Sequence, residues 1–197
     1  MPCPVCEQEI PGHAPMCPHC GFELAHADRA YGAVPLLNHE LTDLAGVLNK
    51  HERARVSAAI AQAERPFPQV HFAVVISKFQ ENAPLRAITF WIFNRGELSS
   101  PFESGAACRL VLFVLDATAN RASCMAGYGL EPFLPGEKLA QIVQSAQTAL
   151  SRGDYANAVI AMVKNAVMVL KSIAVTLPQN KAANANAVSE MEGAFVY

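Results

Sequence analysis

The sequence predicts an α/β fold: a three-layer α/β/α sandwich on a small mixed sheet, preceded by a short zinc ribbon. Three observations carry that expectation. Two short apolar runs, "QVHFAVVIS" (69–77) and "RLVLFVLD" (109–116), flank the helical stretch "PLRAITFWIFN" (84–94). A strand–helix–strand unit of this kind implies a parallel pair. "RASCMAGYG" (121–129) follows after only "ATAN", so it returns as the antiparallel arm of a hairpin. Helical periodicity on either side of these strands then supplies cover for both faces of the sheet.

Taken in order, residues 1–21 form a first unit, rich in proline and cysteine, with Glu7 and Glu9 as its only charges. "CPVC" and "CPHC" give C-x2-C-x10-C-x2-C, and two such knuckles bring the thiolates of Cys3, Cys6, Cys17 and Cys20 into a tetrahedron suited to Zn2+. Too short for a core of its own, the segment takes its folding free energy from the metal. Four thiolate ligands make a closed, structural site rather than a catalytic one. His13 and His19 are expected as exposed loop imidazoles. With acids and no Lys or Arg, the ribbon suits a protein contact or a cap better than nucleic acid.

Residues 22–35 read as a linker with weak helical character in "ELAHADRAYGA", and the main domain spans 36–176. Asn49 and Glu52 open a helix as a capping box, and Val56, Ile60 and Ala63 share its inner face. Leu85, Ile88 and Ile92 form the matching stripe of the helix over 84–94. "EKLAQIVQSAQTAL" aligns Leu139, Ile142, Val143, Ala146 and Leu150, and a last helix covers roughly 154–176. The polar tail 177–197 is expected to be flexible. Cys108 and Cys124, at or in strands, are expected to pack.

Net charge −2 and a pI near 6.3, with scattered Lys and Arg, give no footprint for nucleic acid or an anionic membrane. The start lacks the charged and apolar regions of a secretory signal. The most apolar stretch, "YANAVIAMVKNAVMVLKSIAV", is interrupted by Lys164 and Lys171, so no membrane insertion is expected. The cysteine pattern suits a reducing compartment, and the expected location is the cytoplasm.

Asp116 ends the buried run "LVLFVLD", a position where enzymes keep nucleophiles and metal ligands. Thr118 stands where a phosphoaspartate enzyme would need a second acid, and phosphate-loop, nucleophile-elbow and zinc-protease motifs are absent. Two readings stay open. Carboxylates converging on one rim would gather a hard cation to offset their repulsion. Alternatively, Asp116 shapes the hairpin turn, Asp154 caps the last helix and Glu131 is solvated.

"LTDLAGVLNKHERARVSAAIAQAE", "VHFAVVIS", "LVLFVLDATANRASCMAGYGLE" and "LSRGDYANAV" resemble, in order and spacing, the TPM domain family over about residues 38–173. Its most specific pieces here are D-x-A-G-x-L, the stretch from the strand aspartate to G-Y-G-L-E, and R-G-D-Y. The resemblance implies an α/β sandwich with acids at one end of the sheet. Some relatives bind calcium or another divalent ion there, and weak acid phosphatase activity is attributed to some. The matching acids are Asp43, Asp116, Glu131 and Asp154, which would hold Ca2+ or Mg2+. Arg121 resembles the relatives' basic residue that would neutralise the carboxylates or hold a phosphate, and Tyr128 would stand exposed beside the rim or pack on the sheet edge. The chain departs from the pattern at Gly136, where many relatives carry an acid, and in its glycines around Trp91. The expected function is a cytoplasmic binding or adaptor protein whose partner is another protein. The alternative is a weak metal-dependent acid phosphatase using Asp116 and Arg121.

Overall fold

The computed structural model describes residues 3–11, 14–33, 36–38, 40–80, 83–96 and 106–176. His13, the segment after Gly96 up to Gly105 and the tail 177–197 lie outside the described residues. The elements are α1 (Leu24–Tyr31), β1 (Leu41–Asp43), α2 (Lys50–Glu64), β2 (His71–Ser77), α3 (Leu85–Arg95), a 3-10 turn (Ala106–Arg109), β3 (Leu110–Asp116), β4 (Arg121–Ala126), α4 (Gly136–Gln144), α5 (Gln147–Leu150) and α6 (Tyr155–Thr176).

The sheet has the order β1-β2-β3-β4, with β1, β2 and β3 parallel and β4 antiparallel to β3. It is the mixed sheet that the crossover and the hairpin imply. Side chains alternate across it. Phe72, Val74 and Ile76 of β2, with Phe113 and Leu115 of β3, meet Val56 and Ile60 of α2, Ile142 of α4 and Val159 and Met162 of α6. Phe72 and Phe113 stack nearly parallel, centroids 6.2 Å apart. Ala73, Val75, Leu112 and Val114 face the other way onto Ile88, Trp91 and Ile92 of α3. Each of these large side chains contributes roughly 1.5–3 kcal/mol by leaving water. The two crossover helices α2 and α3 step the same way along the sheet yet lie on opposite faces. One crossover therefore has the rare left-handed sense.

Three elements differ from the sequence expectation. β1 is an additional parallel strand of three residues, too short to announce itself by alternation. The segment expected as a linker with weak helical character forms α1 within that stretch, and what the sequence did not indicate is that it is fastened to α3. Trp91 Nε1 donates to Asp28 at 3.0 Å, Arg95 donates to both oxygens of Asp28, and the Tyr31 and Trp91 rings lie 5.4 Å apart. The stripe over 137–150 breaks into α4 and α5 because the Ser145 hydroxyl and amide both turn back onto the Ile142 carbonyl. The capping box is as read: Asn49 accepts from the Glu52 amide and Glu52 from the Asn49 amide.

β4 ends at Ala126 because the next residue touches the preceding turn. A Cβ on Gly127 would lie 2.2 Å from the Ala107 carbonyl oxygen, so only glycine fits. α6 is long and apolar enough to cross a membrane by length and composition, and 44% of that window is buried. Its inner face, Val159, Met162, Val163 and Ala166, belongs to the core.

Candidate functional site

The two cysteine knuckles converge. Cys3 and Cys20 sulfurs lie 3.6 Å apart and Cys6 and Cys17 sulfurs 3.7 Å apart, and all four fall within 4.8 Å of one another. A tetrahedron with metal–sulfur bonds of about 2.3 Å has edges of about 3.8 Å, close to the 3.6 and 3.7 Å sulfur separations, so the cage has the size that zinc requires. The knuckles share a turn: the Glu7 amide donates to the Cys3 carbonyl and the Gly21 amide to the Cys17 carbonyl. The residue after each second cysteine is left-handed, with φ 63° at Glu7 and 72° at Gly21. The Val5 amide points at the Cys3 sulfur at 3.4 Å.

The donor set itself calls for a cation. Desolvation opposes the Cys17 thiolate, but the amides of Cys20 and His19 and the neighbouring sulfurs bring that thiol down to about 6. At Cys20 the Phe22 amide favours the thiolate, yet desolvation and the sulfurs of Cys6, Cys3 and Cys17 push the thiol up to about 12. Four such sulfurs ionise together only around a metal. Among the described residues, this is the one group of three or more His, Cys, Asp or Glu side chains placed to share an ion.

Asp43 and Asp116 sit at the carboxyl ends of β1 and β3, flanking β2. Both side chains are fully buried, and both are occupied by the chain's own donors. Asp43 accepts from the amides of Gly46, Val47 and Leu48 at 2.8–3.3 Å and from Arg53 at 2.6 Å. It thereby shapes the loop leading into α2. Asp116 accepts from the amides of Thr118 at 2.9 Å and Phe79 at 3.4 Å and pairs with Arg121 at 2.8 Å. Burial alone would raise its carboxyl, but Arg121 and the two amides outweigh it and hold the pKa below the usual carboxylate range. Its second function is the turn: the bond to Thr118 organises "ATAN", and Asn120 closes the turn at φ 51°.

Asp154 precedes α6 and accepts from the backbone and side-chain nitrogens of Asn157 at 3.1 and 2.6 Å, which lower its pKa. Tyr155 donates to Asn120 and to the Ala117 carbonyl, so α6 begins at the same end of the sheet as Asp116. Burial and the Asp116 charge raise the Tyr155 pKa. Glu131 does not join this end. β4 runs antiparallel to seven-residue β3 and carries the chain back. Glu131 emerges about 20 Å away, at ~3.3 Å per residue of strand. It is exposed and lines a hollow with Pro4, Glu9 and Gly136, while Tyr128, also exposed, lies near Phe90 and Phe93. Gly136 opens α4, with space for a side chain.

A pocket of about 530 Å3 lies at the carboxyl end of β2, where α/β sheets place ligands. Tyr31, Trp91, Phe79 and Ile88 wall it, and Lys78 is its charged residue. Ile88 and Trp91 belong to a helix legible in the sequence, but Tyr31 and Phe79 were not singled out there: Tyr31 comes from the segment read as a linker. The ribbon is held against the domain by the Glu7–Arg86 ion pair at 2.7 Å and by Phe22 packing edge-on to Phe90.

Comparison with known proteins agrees with this architecture. The family pattern described as the TPM domain matches residues 41–169. The chain is similar to the solution structure of the N-terminal domain of a protein from P. gingivalis, at 26% identity over 67% of this chain and 82% of that one, TM-score 0.51. It shares its fold with the N-terminal domain of a protein from Corynebacterium glutamicum, at 16% identity over 66% of this chain and 78% of that one, TM-score 0.51. No curated protein matches the sequence.

Proposed function

This chain belongs to the TPM domain family, and from that premise we propose that it acts as a protein-binding adaptor module whose zinc ribbon is structural. The carrying observation is the occupation of the strand-end carboxylates. Asp43 and Asp116 spend every oxygen on backbone amides and on Arg53 or Arg121. A divalent cation between them would have to displace two guanidinium groups, which the protein holds in place by Coulomb attraction and hydrogen bonds. A phosphatase reading needs the opposite arrangement, carboxylates open to a metal with a nucleophilic water. In the adaptor reading the ribbon and the α/β domain present one composite surface, because Glu7 and Phe22 tie the ribbon to α3. Bound zinc supplies the ribbon's folding free energy through Cys3, Cys6, Cys17 and Cys20. The reading includes a reducing, cytoplasmic location, supported by six free cysteines, four of them arranged as thiolate ligands.

The test is hydrolysis of p-nitrophenyl phosphate by zinc-loaded protein with calcium or magnesium, beside Asp116→Asn. Wild type is expected to show no turnover above the variant. Turnover in wild type that vanishes in Asp116→Asn would overturn the adaptor reading in favour of the phosphatase.

A further inference from the structure

We propose that the outer edge of β4 is a docking site for an extended, basic and apolar segment of a partner protein, which adds to the sheet as a fifth strand. The inference rests on the binding-module reading and names the chemistry of its partner.

Among the described residues β4 is the last strand of the sheet, so one of its edges has no neighbouring strand there. Its register with β3 shows which residues point that way. The Gly127 amide donates to the Leu110 carbonyl, which makes that opposed pair a hydrogen-bonded one. Bonded and non-bonded pairs alternate along an antiparallel ladder. Arg121, Ser123 and Met125 therefore turn their backbone groups to β3, while Ala122, Cys124 and Ala126 turn theirs outward. The pairing runs one to one from Val111–Ala126 to Asp116–Arg121, with no bulge. Exposed edges are normally blunted by proline, a bulge or an outward lysine. β4 has none of these, and its single charge, Arg121, is turned back onto Asp116.

The edge lies along a trough rather than a flat surface. Two adjoining hollows of about 310 and 700 Å3 follow it, sharing Arg86, Cys124, Gly136 and Leu139. One wall is α4, with Leu139 and Val143; the other is α3 and the ribbon. In strand addition the backbone supplies affinity and pockets for alternate side chains supply selectivity. Here the small side chains of Ala122 and Cys124 lean toward α4, so a strand alongside would set apolar residues onto Leu139 and Val143. The ribbon end of the trough holds the exposed Glu131, and its arginine, Arg86, is already paired with Glu7. Charge complementarity therefore calls for lysine or arginine on the incoming strand. The chain's own last segment is a poorer match, since "AFVY" follows Glu190 and Glu192.

The test is amide hydrogen exchange on the full zinc-loaded chain with an acetylated Lys-Val-Thr-Val-Lys-Val amide. Its Glu-Val-Thr-Val-Glu-Val counterpart and a version N-methylated at alternate residues serve as controls. The lysine peptide is expected to slow exchange at Ala122, Cys124 and Ala126 by about tenfold or more, and either control to have no effect. Glu131→Lys, at an exposed position, is expected to weaken the lysine peptide about tenfold, roughly 1.4 kcal/mol. A lysine peptide that fails to bind, that binds without slowing those amides, or that tolerates N-methylation overturns the edge assignment. Slow exchange at these amides without peptide also overturns it: independent of concentration, it gives the edge to the chain's own tail; dependent on concentration, to a second copy. The binding-module reading is decided separately, by phosphate ester hydrolysis.

Discussion

Replacing Asp116 with asparagine removes one charge from a closed set of a carboxylate, two amides and a guanidinium. The amides keep an acceptor but Arg121 loses its counterion, and Arg121 is partly exposed, so water offsets part of the loss. We expect Asp116→Asn to fold and to lose roughly 1–2 kcal/mol in urea titration. The same carboxylate gives a pH signature. Asp28, Asp116 and Asp154 all have pKa values lowered in the folded state. The unfolded chain therefore binds their protons more tightly, with ordinary values near 3.9. Their stabilisation is complete above about pH 5 and is lost as pH falls through the folded values. Midpoints measured from pH 7 to pH 2 should drop below about pH 4, less steeply in Asp116→Asn. The sequence showed Asp116 at a strand end and left its role open; what it did not show is the pairing with Arg121, a residue five positions on whose side chain folds back across the hairpin. Glu131 misled for a complementary reason. Spacing placed it after the hairpin, but only the antiparallel return tells which end of the sheet it leaves from.

Among the elements, β4 depends on how it stops. Gly127→Ala would push a methyl into the Ala107 carbonyl and the Cys108 backbone, both backbone atoms that cannot swing aside. We expect a loss of about 2–3 kcal/mol in thermal or urea unfolding, with faster amide exchange at the 3-10 turn. The elements that were legible beforehand carried their signal locally: the Asn49 and Glu52 capping box, the β-branched β2, the short "ATAN" link. Those that were not depend on partners distant in sequence. β1 is a strand because three residues find the edge of β2, and α1 is fixed because Asp28 meets Trp91 and Arg95 across more than sixty residues. A left-handed crossover lies beyond local reasoning altogether, because it concerns which face a helix takes.

For the molecule as a whole, two kinds of cohesion coexist. The sandwich buries large apolar side chains on both faces of its sheet, while the ribbon buries little beyond its own cysteines. Stripping zinc with a chelator should therefore unfold one part alone. We expect one zinc per chain by elemental analysis, loss of amide protection over residues 3–22 on removal, and a main thermal transition that persists. Cys17→Ser should reproduce the chelated state. Loss of the whole fold on zinc removal would mean that ribbon and sandwich form one cooperative unit.

The two knuckles differ in the residue that follows the second cysteine, and that difference separates two jobs. Glycine takes the left-handed turn after Cys20 at no cost, whereas Glu7 takes the same turn with a side chain, at about 1 kcal/mol. What Glu7 contributes in return is its grip on Arg86. Glu7→Gly should leave zinc bound as tightly or more so, yet release the ribbon to pivot, visible as shortened rotational correlation times for its amides. The angle at which the metal unit is presented would then be written in one strained glutamate, and a family of such chains could re-aim its ribbon by changing a residue that touches neither zinc nor the sheet.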